Sequence, residues 1–288
     1  MRIGTECAGP LADLWKRAQW NMITSTSNQK VKRIVQLNKK AGERKKEGVF
    51  AAEGIKMFLE APEGYVEEVY VSENFLMLLE SQEDDGRGVR EKLEENGYET
   101  VSGEVFAKMS DTQSPQGILC VVRQRRYALE NMLKGDRPPL FLVLENLQDP
   151  GNLGTVLRSG EAAGADGIVM SRDTVDIYNP KVIRATMGSV YRMPFCYVED
   201  LEDAIGQMKQ AGTEVFAAHL EGKKSYDQCD YRKASAFLIG NEGNGLTERV
   251  SQLADVRIRI PMEGKVESLN AAVAASLLAF EAARQRRG

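Results

Sequence analysis

From residue 140 onward, short apolar runs recur with helical patterns between them. The strand-like runs are FLVLEN (141–146), GIVMS (167–171), EVFAAHL (214–220), AFLIG (236–240) and VRIRI (256–260), and residues 153–163 and 201–211 carry helical spacing. Mostly apolar strands separated by helices predict a parallel sheet covered on both faces. In the closing segment, 268–286, Leu269, Val273, Ser276, Leu277 and Phe280 fall on one stripe, the spacing of an amphipathic helix, and its alanines permit close packing on another helix. The earlier part alternates helical stretches with the strands 49–53, 67–72 and 117–122, which predicts a smaller, three-layered α/β unit. The expected organisation is a disordered extension over 1–21, which lacks periodicity and precedes a natural-looking start at Met22; a first domain over 22–126; a polar, Pro-ended linker over 127–139; and a second domain over 140–288.

Composition narrows the function classes. With 42% hydrophobic and 28% charged residues the chain reads as globular, and no apolar run reaches the roughly 18 to 20 residues of a bilayer-spanning helix, so a cytoplasmic address is expected. Cys7, Cys120, Cys196 and Cys229 are far apart, which argues against a disulfide framework and a zinc site, and no metal is expected. His219 is the single histidine, which nearly excludes mechanisms built on a histidine pair or a Ser/His/Asp triad. The net charge of −4 conceals a basic segment: Lys30, Lys32, Arg33, Lys39, Lys40, Arg44, Lys45 and Lys46 are opposed by Glu43 alone. A helix through it presents these cations to nucleic-acid phosphates, and Arg123, Arg125 and Arg126 add a second cluster; the alternative is a solvated face balanced by Glu83, Asp84 and Asp85.

Three segments of the second half place glycine and asparagine where strands give way to loops: LENLQDPGNLGTVLRSGEAAGA (144–165), FLIGNEGNGL (237–246) and RIPMEGKVESLNAAVAAS (259–276). Such turns can converge on one edge of a parallel sheet, where α/β proteins bind ligands. In the first, Asn152 is placed to cap a helix, and Arg158 on that helix either reaches the surface or serves a site. In the second, Gly240 ends a strand and the residues Asn241, Glu242, Gly243, Asn244 and Gly245 let the backbone pass close to a ligand. In the third, Pro261, Gly264 and the triplet Ser268, Leu269, Asn270 lead into the last helix. Neither GxGxxG nor a P-loop is present, which makes an NAD-linked oxidoreductase remote.

The order and wording of these motifs resemble the SpoU (TrmH) family of S-adenosylmethionine-dependent RNA ribose 2'-O-methyltransferases. The resemblance extends over NPKVIRATMGSVYRMPF (179–195), and residues 27–54 are similar to the opening of the family's L30e-like RNA-binding domain. It implies a C-terminal parallel-sheet α/β domain tied in a deep trefoil knot, a homodimer with the knots at the interface, and S-adenosylmethionine held by Gly240, Ile260 and Leu269 beside Asn241, Gly243 and Pro261. It further implies Asn152, Arg158, Glu242, Ser268 and Asn270 as catalytic positions, with Arg158 at the attacking hydroxyl and Asn152 orienting Arg158 or the ribose. Lys30, Lys32, Arg33, Lys39, Lys40, Arg44 and Lys45 are the expected RNA contacts. The implied substrate is 23S ribosomal RNA; transfer RNA, or a catalytically silent RNA-binding or ribosome-assembly factor, are the alternatives.

Overall fold

Two sheets organise the chain in a computed structural model that describes residues 22–81 and 86–287. The extension assigned to 1–21 and the acidic run Glu83, Asp84 and Asp85 lie outside the described residues. One compact unit ends at Gln124 and the second begins at Arg125.

In the first unit the order is α1 (Gln29–Lys39), α2 (Ala41–Glu47), β1 (Val49–Glu53), α3 (Ile55–Glu60), β2 (Val66–Ser72), α4 (Glu73–Ser81), α5 (Arg87–Asn96), β3 (Glu99–Val101), α6 (Gly103–Met109) and β4 (Ile118–Arg123). The strands form one sheet in the order β1-β4-β2-β3, with β4 antiparallel to both neighbours and β2 parallel to β3. Val31, Ile34 and Leu37 project from α1 at helical spacing into a core that includes Val49, Tyr70, Phe106 and Val121. The basic segment is not one helix. At Lys40 the backbone turns extended (φ −122°, ψ 113°), which ends α1 and starts α2 in a new direction. Strand β3 escapes the hydrophobic pattern because three residues are too few to show alternation.

The second unit runs α7 (Leu129–Met132), β5 (Leu140–Leu144), α8 (Pro150–Ala163), β6 (Gly167–Ser171), α9 (Pro180–Thr186), β7 (Phe195–Val198), α10 (Leu201–Gln210), β8 (Glu214–Ala218), β9 (Lys224–Ser225), β10 (Ser235–Ile239), α11 (Glu248–Ser251), β11 (Val256–Arg259) and α12 (Ala271–Arg287). The seven strands pair in the order β7-β6-β5-β10-β8-β11-β9, every pair parallel. One face buries Val143, Val215 and Leu238 against Leu201, Ile205 and Met208 of α10. The other face is covered by α8 and α12. The segment expected to be a linker folds with this unit: it contains α7, buries Leu129, and offers the Pro139 carbonyl to the Ser235 amide (2.9 Å).

The final helix reverses one expectation. Its alanines, Ala271, Ala272, Ala275, Ala279 and Ala282, face inward with Leu278, whereas Val273 and Phe280 are 51% and 42% exposed. Small side chains let α12 lie close on α8, so the larger apolar residues of the stripe turn outward. Among the described residues no helix is long and apolar enough to cross a membrane.

Helix α8 carries the first motif. Asp149 is its N-cap, accepting the Asn152 amide at 2.8 Å, Pro150 takes the first turn, and Gly164 closes it in the left-handed region (φ 76°). Asn152 is therefore not the cap: its side chain is released for another partner. Gly154 lies against α9, where an added Cβ meets the Ala185 Cβ at 2.4 Å and the Val182 carbonyl at 3.0 Å. Since neither neighbour can swing away, Gly154→Ala is expected to destabilise the fold by about 1–3 kcal/mol, read as a lowered urea midpoint at unchanged slope.

Candidate active site

The strand order creates a switch point. From β5 the chain leaves towards β6 on one side, and from the adjacent β10 it leaves towards β11 on the other. The connections diverge at the carboxyl ends of these two strands, which opens a crevice there. The loops of the three motifs, 145–150, 240–247 and 260–270, all begin or end at this edge.

Direct hydrogen bonds join them. Oε1 of Glu242 accepts the Asp149 amide (2.8 Å) and Nδ2 of Asn152 (3.0 Å), while Oε2 accepts the Gln148 amide (3.1 Å). Oδ1 of Asn152 accepts Nδ2 of Asn270 (2.9 Å). Oδ1 of Asn270 in turn accepts the amides of Ala272 (2.9 Å) and Val273 (3.3 Å), which caps α12. Burial pushes the Glu242 carboxyl up, but the hydrogen bonds from Asn152, Asp149 and Gln148 outweigh it and hold the group below its ordinary 4.5. An ionised carboxylate only accepts, so Asn152 must turn its amide nitrogen to Glu242 and its oxygen to Asn270. One charge thereby sets the orientation of two amides in sequence.

The glycine-rich loop is closed on itself. Asn241 and Gly245 exchange backbone bonds at 3.0 and 2.9 Å, and Oδ1 of Asn241 accepts the amides of Gly243 (2.9 Å) and Asn244 (3.2 Å). Gly240 packs so tightly on the Gly245–Leu246 peptide that a Cβ would stand 2.0 Å from the Gly245 carbonyl carbon. Ile260 and Leu269 are half-buried, and Pro261 and Ser268 are exposed. Since β8 lies between β10 and β11, the turn after it, His219 to Gly222, sits between Gly240 and Ile260. Gly222 crosses the Ile258–Arg259 peptide with 2.4 Å between an added Cβ and the Ile258 carbonyl carbon, and Nδ1 of His219 accepts the Glu221 amide at 3.2 Å.

Arg158 stands on α8, exposed and without an internal hydrogen bond or ion pair among the described residues. Other arginines of this unit are paired: Arg172 with Glu199, Arg192 with Glu161, Arg257 with Glu248 and Arg284 with Glu281. No hydrogen bond joins Asn152 to Arg158 among the described residues; the Asn152 side chain is bonded instead to the Glu242 carboxylate and the Asn270 amide.

In the basic segment the cations divide. Arg44 is 4% exposed and donates to the carbonyls of Leu37 (2.6 Å) and Asn38 (3.2 Å), tying the end of α1 to α2. Arg33 bridges Glu47 (2.7 Å) and Glu68 (2.8 Å), and Lys30 pairs with Glu99. Arg123, from the second basic cluster, donates to the Gly64 carbonyl. Arg44 is thus withdrawn from any phosphate, and Arg33 and Lys30 are already neutralised. Lys32, Lys39, Lys40 and Lys45 remain exposed and unpartnered among the described residues.

Glu145, Asn146 and Gln148 also belong to the site and were not legible as such. The carboxylate of Glu145 accepts the Thr247 amide (2.8 Å) and hydroxyl (2.7 Å), and Asn146, with a positive φ of 53°, offers its carbonyl to Nδ2 of Asn241 (2.8 Å). Two polar residues directly after a buried strand were the available signal. An open cavity of about 620 Å³ lined by Pro139, Thr213, Asp230 and Arg232 lies at the opposite, amino-terminal edge of the sheet, away from these loops. Among the described residues no group of three or more His, Cys, Asp or Glu is placed to hold a metal ion.

Comparison with known proteins gives this arrangement its context. The SpoU rRNA Methylase family matches residues 139–280, and the MRM3-like substrate binding domain matches residues 28–120. The chain is 30% identical to the 23S rRNA (guanosine(2553)-2'-O)-methyltransferase RlmP of Bacillus subtilis, covering 90% of this chain and 97% of that one. It is 31% identical to a protein of Synechocystis named as an uncharacterized tRNA/rRNA methyltransferase, covering 92% and 94% respectively. Among solved structures, the AdoMet-bound rRNA methyltransferase of Sinorhizobium meliloti is 31% identical, with a TM-score of 0.78 over 91% of this chain and 97% of that one. The chain belongs to the SpoU rRNA methylase family.

Proposed function

We propose that this protein transfers a methyl group from S-adenosylmethionine to a ribose 2'-hydroxyl of ribosomal RNA, in the large subunit. The observation that carries this reading is the hydrogen-bonded meeting of Glu242, Asn152 and Asn270 at the switch point, with an arginine that is exposed and, among the described residues, unpartnered, Arg158, further along the helix that carries Asn152. The naming of RlmP as a 23S rRNA ribose methyltransferase, and of the Sinorhizobium relative as AdoMet-bound, supports the substrate and the cofactor.

The residues at the crevice fit such a cofactor. Gly240, Ile260 and Leu269, with Asn241, Gly243 and Pro261 around them, present small or apolar side chains and main-chain groups suited to an adenosine. Glu242 adds a negative charge, the sign that suits a sulfonium. When bound, the cofactor supplies a methyl group already activated on sulfur. The protein has then to position the hydroxyl and ease the loss of its proton. Arg158 is assigned to the attacking hydroxyl and its adjoining phosphate, where a fixed cation would stabilise developing alkoxide charge. It is not the base, since its pKa lies above about 12. Glu242 serves as an ionised acceptor that fixes Asn152 and Asn270, and Ser268 closes the pocket from the third loop.

The close approach of Gly222 to the Ile258–Arg259 peptide fits the knotted threading that the family resemblance implies. A second copy docks on the outward Val273 and Phe280 face of α12 rather than on its alanines, which are buried within the chain. RNA is gripped by the first unit, through Lys32, Lys39, Lys40 and Lys45.

Arg158→Ala is expected to lower kcat for RNA methylation by about 10²–10³-fold while S-adenosylmethionine binding, followed by calorimetry, stays unchanged; near-normal methyl transfer in this variant refutes the reading. Replacing Lys32, Lys39, Lys40 and Lys45 by glutamine is expected to weaken RNA binding and to flatten the plot of log affinity against log salt by about 0.7–0.9 for each lost phosphate contact. For Glu242 the sign follows from its depressed pKa: its contribution to stability is complete above 4.5 and is lost as pH falls through the lower folded value. Glu242→Gln should therefore be less stable than the parent at neutral pH, with the gap in urea midpoints narrowing as the solution is acidified below 4.5. A gap independent of pH contradicts the assignment.

A further inference from the structure

The loop that carries Glu242 is held at both ends by two consecutive residues of another loop. At its entry, Nδ2 of Asn241 donates to the Asn146 carbonyl (2.8 Å). At its exit, both carboxylate oxygens of Glu145 are engaged by Thr247, Oε2 by its amide (2.8 Å) and Oε1 by its hydroxyl (2.7 Å). With its hydrogen directed at Glu145, the Thr247 hydroxyl oxygen accepts the Val250 amide (3.3 Å) and so starts α11.

Glu145 is itself immobilised by the sheet. Leu144 pairs in register with Ile239, and the Glu145 amide donates to the Ile239 carbonyl (2.9 Å), continuing the β5/β10 ladder by one rung. Its carboxylate therefore projects from the sheet's end, whereas residues 240–247 form a loop. That loop has little internal slack. The paired backbone bonds between Asn241 and Gly245, and the contact of Gly240 with the Gly245–Leu246 peptide, couple its exit to its entry. A shift at Thr247 is passed to Gly240 and Glu242 rather than absorbed.

We propose that Glu145, acting through Thr247, is a positioning residue for methyl transfer: it latches the 240–247 loop in the shape that receives the cofactor and aims Glu242 at Asn152. This inference rests on the methyltransferase reading above. The hydroxyl of Thr247 belongs to the same latch, so a serine there suffices and an isosteric valine does not. The latch predicts coupling between the two side chains: Glu145→Ala removes both bonds, whereas Thr247→Val removes the hydroxyl bond and leaves the backbone amide of residue 247 on the carboxylate, so in the absence of Glu145 the valine has no latch bond left to break.

The test uses the full chain in variants Glu145→Ala, Thr247→Val, Thr247→Ser and the Glu145→Ala/Thr247→Val double. S-adenosylmethionine affinity is measured by calorimetry, and amide exchange over residues 240–247 is measured without cofactor. Glu145→Ala and Thr247→Val are each expected to weaken the cofactor by about tenfold, the double by no more than the worse single, with Thr247→Ser near the parent. Exchange at Gly245, whose amide is bonded to Asn241, should accelerate in step. Unchanged affinity in both single variants, or losses that simply add in the double, overturns the proposal. So does faster exchange without weaker cofactor binding, which reduces the latch to a local structural contact. If Glu145→Ala does not fold, Thr247→Val with its serine control decides the question. Absence of cofactor binding by the parent chain fails the methyltransferase reading instead, and the exchange measurement still decides whether Glu145 holds the loop.

Discussion

The second unit depends on one ionised carboxylate held where three loops meet. Removing part of a carboxylate's hydration is costly unless hydrogen bonds replace the water, and Glu242 receives two backbone amides and the side-chain amides of Asn152 and Asn241 in exchange. Because it can only accept, it imposes a direction on everything bonded downstream. Asn152 must donate to it, Asn270 must donate to Asn152, and the Asn270 oxygen is left to cap α12. The site is thus continuous with the packing of the fold, since α12 also lies on α8, the helix that carries Asn152 and Arg158.

Sheet topology brings those loops together. Placing β10 beside β5, with β8 and then β11 beyond it, returns the late strands to the early one. The cost is crowding of main chain on main chain, and glycine is the residue that tolerates it. Gly240 lies against the Gly245–Leu246 peptide, Gly222 against the Ile258–Arg259 peptide, and a Cβ at either position would overlap backbone atoms.

How much was legible follows the range of the forces involved. Buried strands announce themselves by continuous apolar runs, and five strands of the parallel sheet were read within two residues of their ends; the two-residue β9 was too short to register, and β7, buried at Phe195 and Cys196 alone, was missed. The convergence of the three motif segments was also legible, because a parallel sheet sends their turns to one edge. Contacts decided by alternatives within a single turn were not. Asp149 and Asn152 are both competent caps, and Pro150 settled the choice by occupying the first helical turn. On α12 the spacing marked an apolar stripe, but close helix packing selected the alanines beside it. Glu145 looks in sequence like any glutamate after a strand, since its partner lies in another motif.

The basic segment shows the same limit in electrostatic form, and what it lacks informs the division of work between the units. A count of cations cannot tell which are already paired, but side-chain chemistry sorts them. A guanidinium offers several donors in a fixed plane, so Arg33 can bridge two carboxylates and Arg44 can satisfy two carbonyls at the break between α1 and α2. An ammonium on a flexible stem remains solvated, and Lys32, Lys39, Lys40 and Lys45 accordingly keep their charge exposed. In the second unit the three loops bring together amides, main chain and the carboxylates of Glu145 and Glu242, and the cation predicted to serve the site is Arg158. The exposed lysines of the first unit have the charge and exposure that attraction of a polyanion requires.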